Sequence, residues 1–346
     1  MNEARNLSRD ARLLACLLLA ILGLAPQIGS AQSEPAASAP PPPGRLIDLG
    51  GYKLHLNCTG QGKPTVVLSA GAGDASFAWA LVQPEAAKLT RVCSYDRSGT
   101  AWSDLGPKPR TVYQEAYDLH RLLAKAGEHG PYVLVGHSAG GTVARIFAMQ
   151  YRKETRGVVL VDAGHENGQY NINGKWVRLR TLAKDRPIPS PRDSVTAADA
   201  PTAEEEQKIK EIMTKVMGPP EIEPPFDRLP PEAQRYQLWA LGQWQRFDTG
   251  DDYSAEVAAQ LYAQDEKTKH PLGKVPLIVL TRSRDEYPKK MAAILSQEHQ
   301  QQQAQLASMS SKGKQIIVPN SGHHIQLDAP DAVISAIRSM LMEIRR

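Results

Sequence analysis

The sequence predicts a doubly wound α/β protein with a mostly parallel sheet and one inserted helical segment. Short runs rich in Val, Ile and Leu show little polar alternation, which is typical of parallel strands covered on both faces. Stretches of helical period separate these runs, as in a doubly wound sheet. The alternation breaks between residues 164 and 270, where Pro-rich stretches intervene. The predicted strands are 53–56, 65–68, 91–95, 132–135, 158–161, 277–281 and 315–318.

Helical periodicity predicts three helices outside the 164–270 segment and three within it. The first three span 112–125, 141–151 and 332–344. Inside the segment, Thr202 and Glu205 form a capping-box pattern, and further helices are expected after Pro231 and Ser254. We interpret the segment as a helical insertion over the carboxyl edge of the sheet, with a separate helical domain as the alternative. The glutamine run at 300–303 is interpreted as a solvated helix face.

The first 31 residues are typical of a secretory signal peptide. Three arginines precede an apolar run at 13–24, and small residues lead up to a cleavage site after Ala31. The run is shorter than the roughly 20 residues that a bilayer span needs. We therefore expect a secreted or periplasmic protein with no stable membrane insertion after cleavage, and an uncleaved anchor is the alternative. The Pro-rich segment 32–44 is predicted to be an extended linker, so the core should begin near Arg45.

Charge and cysteine content exclude several classes of protein. The 41 Lys and Arg against 37 Asp and Glu give a net charge of +4 over 346 residues, which does not indicate a nucleic acid or an anionic membrane as partner. Three cysteines are too few for a disulfide-rich scaffold or for a zinc site built from four cysteines.

The strongest chemical signal is Gly136-His137-Ser138-Ala139-Gly140, which follows a predicted strand and precedes a predicted helix. This order is typical of a nucleophile elbow, a strained turn that presents a serine at the carboxyl end of a strand. Glycines are needed where a Cβ would collide with neighbouring backbone. Ser138 is therefore the candidate nucleophile, and the amides that open the helix lie where they can stabilise negative charge.

A turn of small residues, Ala-Gly-Ala-Gly at 70–73, follows the predicted strand at 65–68. Elbow proteins take one oxyanion amide from such a loop and the other from the residue after the nucleophile. Ala72 and Ala139 are therefore the candidate pair for the oxyanion hole. The turn lacks the Gly-Lys-Ser/Thr of a phosphate loop and the third glycine of a dinucleotide fingerprint.

A serine hydroxyl is a poor nucleophile at neutral pH and needs a neighbouring base. Imidazole suits this role because its pKa lies near the working pH. His323 and His324 follow the last predicted strand, where the chain order Ser, acid, His puts the base. We prefer His323, in its Gly-His-x-Ile setting, over His324.

These motifs together resemble those of the α/β-hydrolase superfamily over roughly residues 45–346. The resemblance implies an α/β-hydrolase core at 45–163 and 271–346, with a helical cap inserted at 164–270. The motifs that carry it are Ala70-Gly71-Ala72, Tyr95-Asp96-Arg97-Ser98-Gly99 with Trp102-Ser103, the elbow at Ser138, and Gly322-His323.

The resemblance implies an acid after the seventh strand of the family's sheet or, in some relatives, after the sixth. Asp285 follows the predicted strand at 277–281 and is the first choice, although Arg282 stands where a glycine is common. Asp162 directly follows the strand at 158–161 and is the alternative. The acid would hold the imidazole in the correct tautomer and stabilise the imidazolium that forms.

In this fold the second strand runs beside the fourth. Cys58 and Cys93 would then face each other across adjacent strands, and we expect a disulfide between them. Two buried free thiols are the alternative, because separations cannot be read from a sequence.

The resemblance implies a serine hydrolase that cleaves carboxylic esters through an acyl-enzyme, and the predicted signal peptide implies that it is exported. Its partner would be a small-molecule ester, and the mechanism requires no metal and no organic cofactor. A serine at the elbow argues against dehalogenase and epoxide hydrolase chemistry, because relatives doing those reactions use aspartate there. The same triad also serves amidases, aminopeptidases, lactonases and acyltransferases, and a non-catalytic ligand-binding homologue is the remaining alternative.

Overall fold

The computed structural model describes residues 39–345, except residues 173, 214, 216–218 and 246–252. The expected signal peptide at 1–31 and the first part of the expected linker lie outside the described residues. Within the described ranges, none of the helices combines the length and the apolar character that a bilayer crossing requires.

The chain alternates strands and helices in the predicted manner. Up to the inserted segment, the elements are β1 (Arg45–Asp48), β2 (Lys53–Thr59), β3 (Thr65–Ser69), α1 (Gln83–Ala86), β4 (Val92–Tyr95), α2 (Val112–Lys125), β5 (Tyr132–His137), α3 (Ala139–Gln150) and β6 (Thr155–Val161). The inserted segment contains β7 (Gln169–Ile172), β8 (Lys175–Arg178), α4 (Ala203–Ile212), α5 (Pro231–Leu241) and α6 (Ser254–Lys267). The chain ends with β9 (Leu277–Arg282), α7 (Ala292–Ser308), β10 (Gly313–Val318), α8 (Ile325–Asp328) and α9 (Pro330–Ile344).

Eight strands form one sheet in the order β1-β2-β4-β3-β5-β6-β9-β10. β2 pairs antiparallel with β1 and β4, and every later pair in this order is parallel. The sheet is doubly wound, because α2 and α3 pack with one apolar cluster while α1 and α9 pack with the other. This α/β-hydrolase architecture confirms the predicted fold class.

The central strands show why the apolar runs predict them. Every residue of β3, β4, β5 and β9 is buried, as expected for strands covered on both faces. All seven predicted strands form. The sequence does not predict β1, because three of its four residues are exposed and it offers no continuous apolar run.

Cys58 and Cys93 are directly opposite each other in the antiparallel pair of β2 and β4. Their Cα atoms lie 4.0 Å apart and their sulfurs form a disulfide, as the resemblance implies. The bond closes a loop with a sequence separation of 35 residues, and that loop contains β3 and the turn at 70–73.

The end of the Pro-rich segment lies against the core. The Trp102 indole Nε1 donates to the Pro40 carbonyl oxygen at 2.7 Å, and the buried His55 ring contacts the Pro43 carbonyl oxygen. The end of the segment expected to be a linker is therefore bound to the core from about Pro40 onward. Two buried rings need those carbonyls as hydrogen-bond partners.

Gln302 and Gln303 on α7 are buried and only Gln301 of the run at 300–303 is exposed, which corrects the interpretation of the run as a solvated helix face. Gln303 is 0% exposed and donates to the Ala163 carbonyl oxygen at 2.8 Å. Gln300 donates to the Arg282 carbonyl oxygen at 2.9 Å. These side-chain amides donate to backbone carbonyl oxygens at the carboxyl ends of β6 and β9. They supply hydrogen bonds to carbonyl groups that no neighbouring strand pairs with.

The inserted segment contains the three predicted helices and also a hairpin, β7–β8, which was not among the predicted elements. The strands of this hairpin are four residues long and only partly buried, so their sequences contain no apolar run from which they could be predicted. The turn holds Gly174 at φ +79°, and the Gly174 amide donates to the Asn171 side chain at 2.9 Å. The Asn-Gly dipeptide at 173–174 is a strong hairpin signal in the sequence, and the hairpin could have been predicted from it.

Both ends of the inserted segment are bound to one buried arginine on α3. The Arg145 guanidinium is 0% exposed and lies 2.8 Å from Glu166 Oε2 and 3.4 Å from Asp265 Oδ2. Glu166 comes soon after β6, whereas Asp265 lies near the end of α6. A buried charge of this kind is tolerated only when it is paired, so the three side chains depend on one another.

This cluster predicts a pH-dependent stability. Burial, together with a hydrogen bond to Glu166, raises the pKa of Asp265 to about 7 from an ordinary value of 3.8. Between these values the folded chain holds a proton at Asp265 that the unfolded chain has lost, so the contribution of Asp265 to the free energy of unfolding falls as the pH rises through this range. For Asp265→Asn we expect a smaller fall between pH 5 and pH 8 than for the wild type, measured by urea unfolding. Parallel pH profiles for the two proteins would contradict this assignment.

Candidate active site

Ser138 occupies a sharp turn between β5 and α3. Its backbone has φ 50° and ψ −122°, a conformation that residues other than glycine rarely adopt. A Cβ at Gly136 would lie 2.3 Å from the Gly140 carbonyl oxygen, and a Cβ at Gly140 would lie 2.3 Å from the Ser69 carbonyl oxygen. The start of α3 therefore approaches β5 and β3 so closely that only glycine fits at both positions.

His323 lies in the loop after β10 and contacts a carboxylate that follows β6. Its Nδ1 is 2.7 Å from Asp162 Oδ2. The Asp162 side chain is fully buried, whereas about a third of the His323 side chain is exposed. With the carboxylate on Nδ1, the neutral ring carries its proton there, which leaves Nε2 with the lone pair that can accept a proton.

Asp162 has two further partners. The Arg282 guanidinium lies 2.7 Å from its Oδ2, and His299 Nε2 on α7 lies 2.8 Å from its Oδ1. Burial alone would raise the pKa of Asp162, but the hydrogen bonds from His299 and His323 and the positive charge of Arg282 hold it well below its usual value. The carboxylate is therefore ionised at neutral pH. Sequence reasoning missed His299, since no motif surrounds it.

Asp285 does not pair with His323. Its side chain is exposed and accepts a hydrogen bond from the Tyr287 amide at 2.9 Å. Arg282, which stands where a glycine is common, fills the space beside the histidine, and one of its nitrogens lies 3.4 Å from His323 Nδ1. The carboxylate that contacts His323 Nδ1 is thus the alternative acid, Asp162, and not the first choice, Asp285; the catalytic role of either stays a prediction.

Two carboxylates that the sequence analysis did not single out hold the histidine loop. The His323 amide donates to both oxygens of Glu286 at 3.1 Å, and the Gly322 amide donates to Asp328 Oδ2 at 2.6 Å. The next residue, His324, faces a different acid, with Nε2 3.6 Å from Asp74 Oδ2. Of the two adjacent histidines, the structure therefore pairs only His323 with Asp162.

The turn at 70–73 runs beside the elbow, because β3 and β5 are parallel neighbours with Ser69 opposite Gly136. The buried Arg97 guanidinium donates to the carbonyl oxygens of Ala70 and Gly71 and so holds this turn from its inner side. Ala72 is exposed. Ala139, on the other side, is the first residue of α3.

Aromatic side chains of the inserted segment cover the neighbouring surface. The Trp102 ring lies 4.9 Å from Tyr236 and 5.2 Å from Trp239, both on α5. Phe226 lies 4.9 Å from the His324 ring. Trp102, one of the residues that carry the resemblance, is thus packed between the core and the inserted segment at 9% exposure.

The sheet order, the elbow and the paired histidine occur together in a known family. The model of the alpha/beta hydrolase family matches residues 66–336, which is most of this chain. The chain belongs to the alpha/beta hydrolase family. This membership confirms the resemblance on which the sequence analysis relied.

Solved structures similar to this hydrolase share its fold. A thermophilic esterase from Thermogutta terrifontis is 22% identical, with a TM-score of 0.56 over 85% of this chain and 95% of that one. An enol-lactonase from Burkholderia xenovorans is 17% identical, with a TM-score of 0.58 over 86% of this chain and 100% of that one. A putative epoxide hydrolase from Pseudomonas aeruginosa is 16% identical, with a TM-score of 0.58 over 87% of this chain and 96% of that one.

Curated relatives match only part of this hydrolase. The uncharacterized protein Rv2715 of Mycobacterium tuberculosis is 32% identical over 141 residues, which is 40% of each chain. The uncharacterized protein YbdG of Bacillus subtilis is 28% identical over 123 residues, covering 35% of this chain and 38% of that protein. The probable transporter efuK of Hormonema carpetanum is 33% identical over 129 residues, covering 35% of this chain and 18% of that protein. The hydrolase thus spans less than half the length of these relatives.

Proposed function

We propose that this hydrolase is an exported serine esterase that cleaves carboxylic esters of small molecules. Ser138 is the nucleophile, His323 the general base and Asp162 the acid, and the amides of Ala72 and Ala139 form the oxyanion hole. The observation that carries the proposal is the 2.7 Å contact between His323 Nδ1 and a buried, ionised Asp162 in a chain with a serine elbow.

The proposed reaction proceeds through an acyl-enzyme. Ser138 Oγ forms a bond to the ester carbonyl carbon while His323 Nε2 takes its proton, and Asp162 stabilises the imidazolium without becoming protonated. The amides of Ala72 and Ala139 bind the negative oxygen of the tetrahedral intermediate, where one donor is typically worth about 10²- to 10³-fold in rate. The intermediate expels the alcohol, which takes the proton from His323. Water then cleaves the acyl-enzyme by the same steps.

The inserted segment is proposed as the cap that selects the substrate. Its support is the packing of Phe226 against His324, and of Tyr236 and Trp239 against Trp102, beside the candidate site. Aromatic rings at this position favour an apolar acyl or alcohol group, because such groups are removed from water when they bind.

Export is proposed from the predicted signal peptide at 1–31. The disulfide between Cys58 and Cys93 supports it, because such bonds persist in oxidising compartments and are rare in the cytosol.

The proposal is tested with protein expressed as the full chain and purified after export. We expect hydrolysis of p-nitrophenyl esters from acetate to palmitate, with the preferred chain length reporting the size of the acyl pocket, and no hydrolysis by the Ser138→Ala variant. An aminoacyl-p-nitroanilide panel and a lactone panel run alongside. Cleavage of anilides or lactones with no ester cleavage would overturn the esterase assignment, and no labelling of Ser138 by a fluorophosphonate would overturn the nucleophile. Retention of the full chain in the cytoplasm would overturn export.

A further inference from the structure

Two histidines and an aspartate that the proposed ester cleavage does not use lie together beside the candidate site. His137 precedes Ser138, His324 follows His323, and Asp74 closes the turn that carries Ala72. One nitrogen of each ring and one oxygen of the carboxylate all lie within 4.8 Å of one another. The end of β5, the turn after β3 and the loop after β10 thus bring three metal-binding side chains together.

The His137 ring is held in an orientation that leaves one nitrogen without a hydrogen-bond partner. Its Nε2 lies 3.0 Å from the His323 carbonyl oxygen, which can only accept, so Nε2 carries the proton. Nδ1 of the neutral ring then carries a lone pair. The ring is 1% exposed, and Nδ1 has no hydrogen-bond partner among the described residues.

A carboxylate, which is another hydrogen-bond acceptor, lies close to this lone pair. Asp74 Oδ2 lies 3.7 Å from His137 Nδ1, and the same oxygen lies 3.6 Å from His324 Nε2. A lone pair facing a buried carboxylate is unfavourable unless a positive group lies between them. A hydrogen bond between Asp74 and His324 alone would leave His137 Nδ1 unsatisfied.

The distances from Asp74 Oδ2 to the two ring nitrogens match those between the ligands of a tetrahedral ion. Two ligand atoms that are each about 2.1 Å from a tetrahedral Zn²⁺ lie about 3.4 Å apart, which is within a few tenths of an ångström of the two distances above. Gly71 leaves the space open, because a Cβ there would lie 2.8 Å from His137 Nδ1 and 3.0 Å from Asp74 Oδ2. A side chain at this position would fill the cradle between the ligands.

We propose that His137 Nδ1, His324 Nε2 and a carboxylate oxygen of Asp74 bind one Zn²⁺ ion, with water as the fourth ligand. Two imidazoles and a carboxylate are a common zinc ligand set. The ion takes no part in the proposed ester cleavage. It joins the turn at 70–73, the elbow and the histidine loop, so its binding stabilises the relative positions of Ala72, Ser138 and His323.

The test measures zinc binding directly. Protein expressed as the full chain is stripped with EDTA, passed through gel filtration, and titrated with ZnCl₂ by isothermal calorimetry, with bound zinc counted by mass spectrometry after dialysis. We expect one equivalent of Zn²⁺ per chain, and at least a tenfold loss of affinity in Asp74→Asn and in His324→Gln. The exposed His129 provides the matched control, since His129→Gln should bind zinc like the wild type. MgCl₂ should not compete, because Mg²⁺ prefers oxygen ligands.

A thermal melt provides the second readout. Zinc should raise the melting temperature of the wild type and of His129→Gln by a few degrees and leave that of Asp74→Asn unchanged. No stoichiometric binding by the wild type, or undiminished binding by both ligand variants, would overturn the site. These measurements do not depend on turnover, and Ser138→Ala should bind zinc as the wild type does. Failure of the esterase proposal and failure of the zinc site are therefore distinguishable.

Discussion

Replacing Ser138 by alanine is expected to lower ester turnover by about 10⁴- to 10⁶-fold and to leave the fold intact. Without the hydroxyl no acyl-enzyme forms, and the remaining rate comes from binding and from the oxyanion donors alone. The measurement is kcat/KM on the best p-nitrophenyl ester, with thermal melts of both proteins. An alanine variant that retains more than a few per cent of the wild-type rate contradicts the assignment of Ser138.

A second variant at this position separates chemistry from strain. Ser138 has a φ of 50°, and a residue other than glycine held in such a conformation costs roughly 1–3 kcal/mol. Ser138→Gly should therefore be as inactive as Ser138→Ala but more stable than it, measured by urea unfolding. Equal stability of the two variants would show that the turn stores no strain at this residue.

Replacing Asp162 by asparagine is expected to lower kcat by about 10⁴-fold, because an amide can hold His323 in the wrong tautomer. Asparagine keeps the shape of the side chain but removes the charge that Arg282 and His299 face. We therefore also expect a lower melting temperature, since breaking a buried pair typically costs about 3–5 kcal/mol. The rate is measured at a temperature at which the variant is folded.

Asp285→Asn is the matched control, because this aspartate was the first choice from the sequence and its side chain is exposed. We expect its kcat to stay within about twofold of the wild type, in the usual range for a surface change that touches no reacting group. The reverse result, with Asp285→Asn inactive and Asp162→Asn active, would reassign the acid.

The contrast between the candidate nucleophile, Ser138, and the candidate acid shows what the sequence can predict here. The elbow depends on residues adjacent in the chain, so its strand, its turn and its glycines are all visible in one short segment. The partner of His323 depends on which of two neighbouring loops reaches the ring. β6 and β9 are parallel neighbours in the sheet, so Asp162 and Asp285 both follow strands that end at the same edge. The Arg282 side chain lies against both Asp162 and His323, and the direction that it takes cannot be read from the spacing of residues in the sequence.

Burial of polar side chains was the other feature that the sequence did not reveal. A run of glutamines has the composition of a solvated surface, yet Gln303 is fully buried because the Ala163 carbonyl needs a donor. The Pro-rich segment likewise has the composition of a free linker, although its carbonyls accept from Trp102 and contact His55. In each case a backbone group distant in the chain sets the environment, and only the folded arrangement identifies it.

Arg145 restricts how the inserted segment can move. Because its guanidinium binds Glu166 at the beginning of the segment and Asp265 near its end, both attachment points are fixed to α3, the helix that begins next to Ser138. A hinge at either attachment point would separate a buried charge from its partner, which is costly in a low-dielectric interior. The segment is thus unsuited to swing open as a rigid lid. If the segment is the proposed cap, we expect substrate and product to pass by local rearrangement within it, at a distance from its two bound ends.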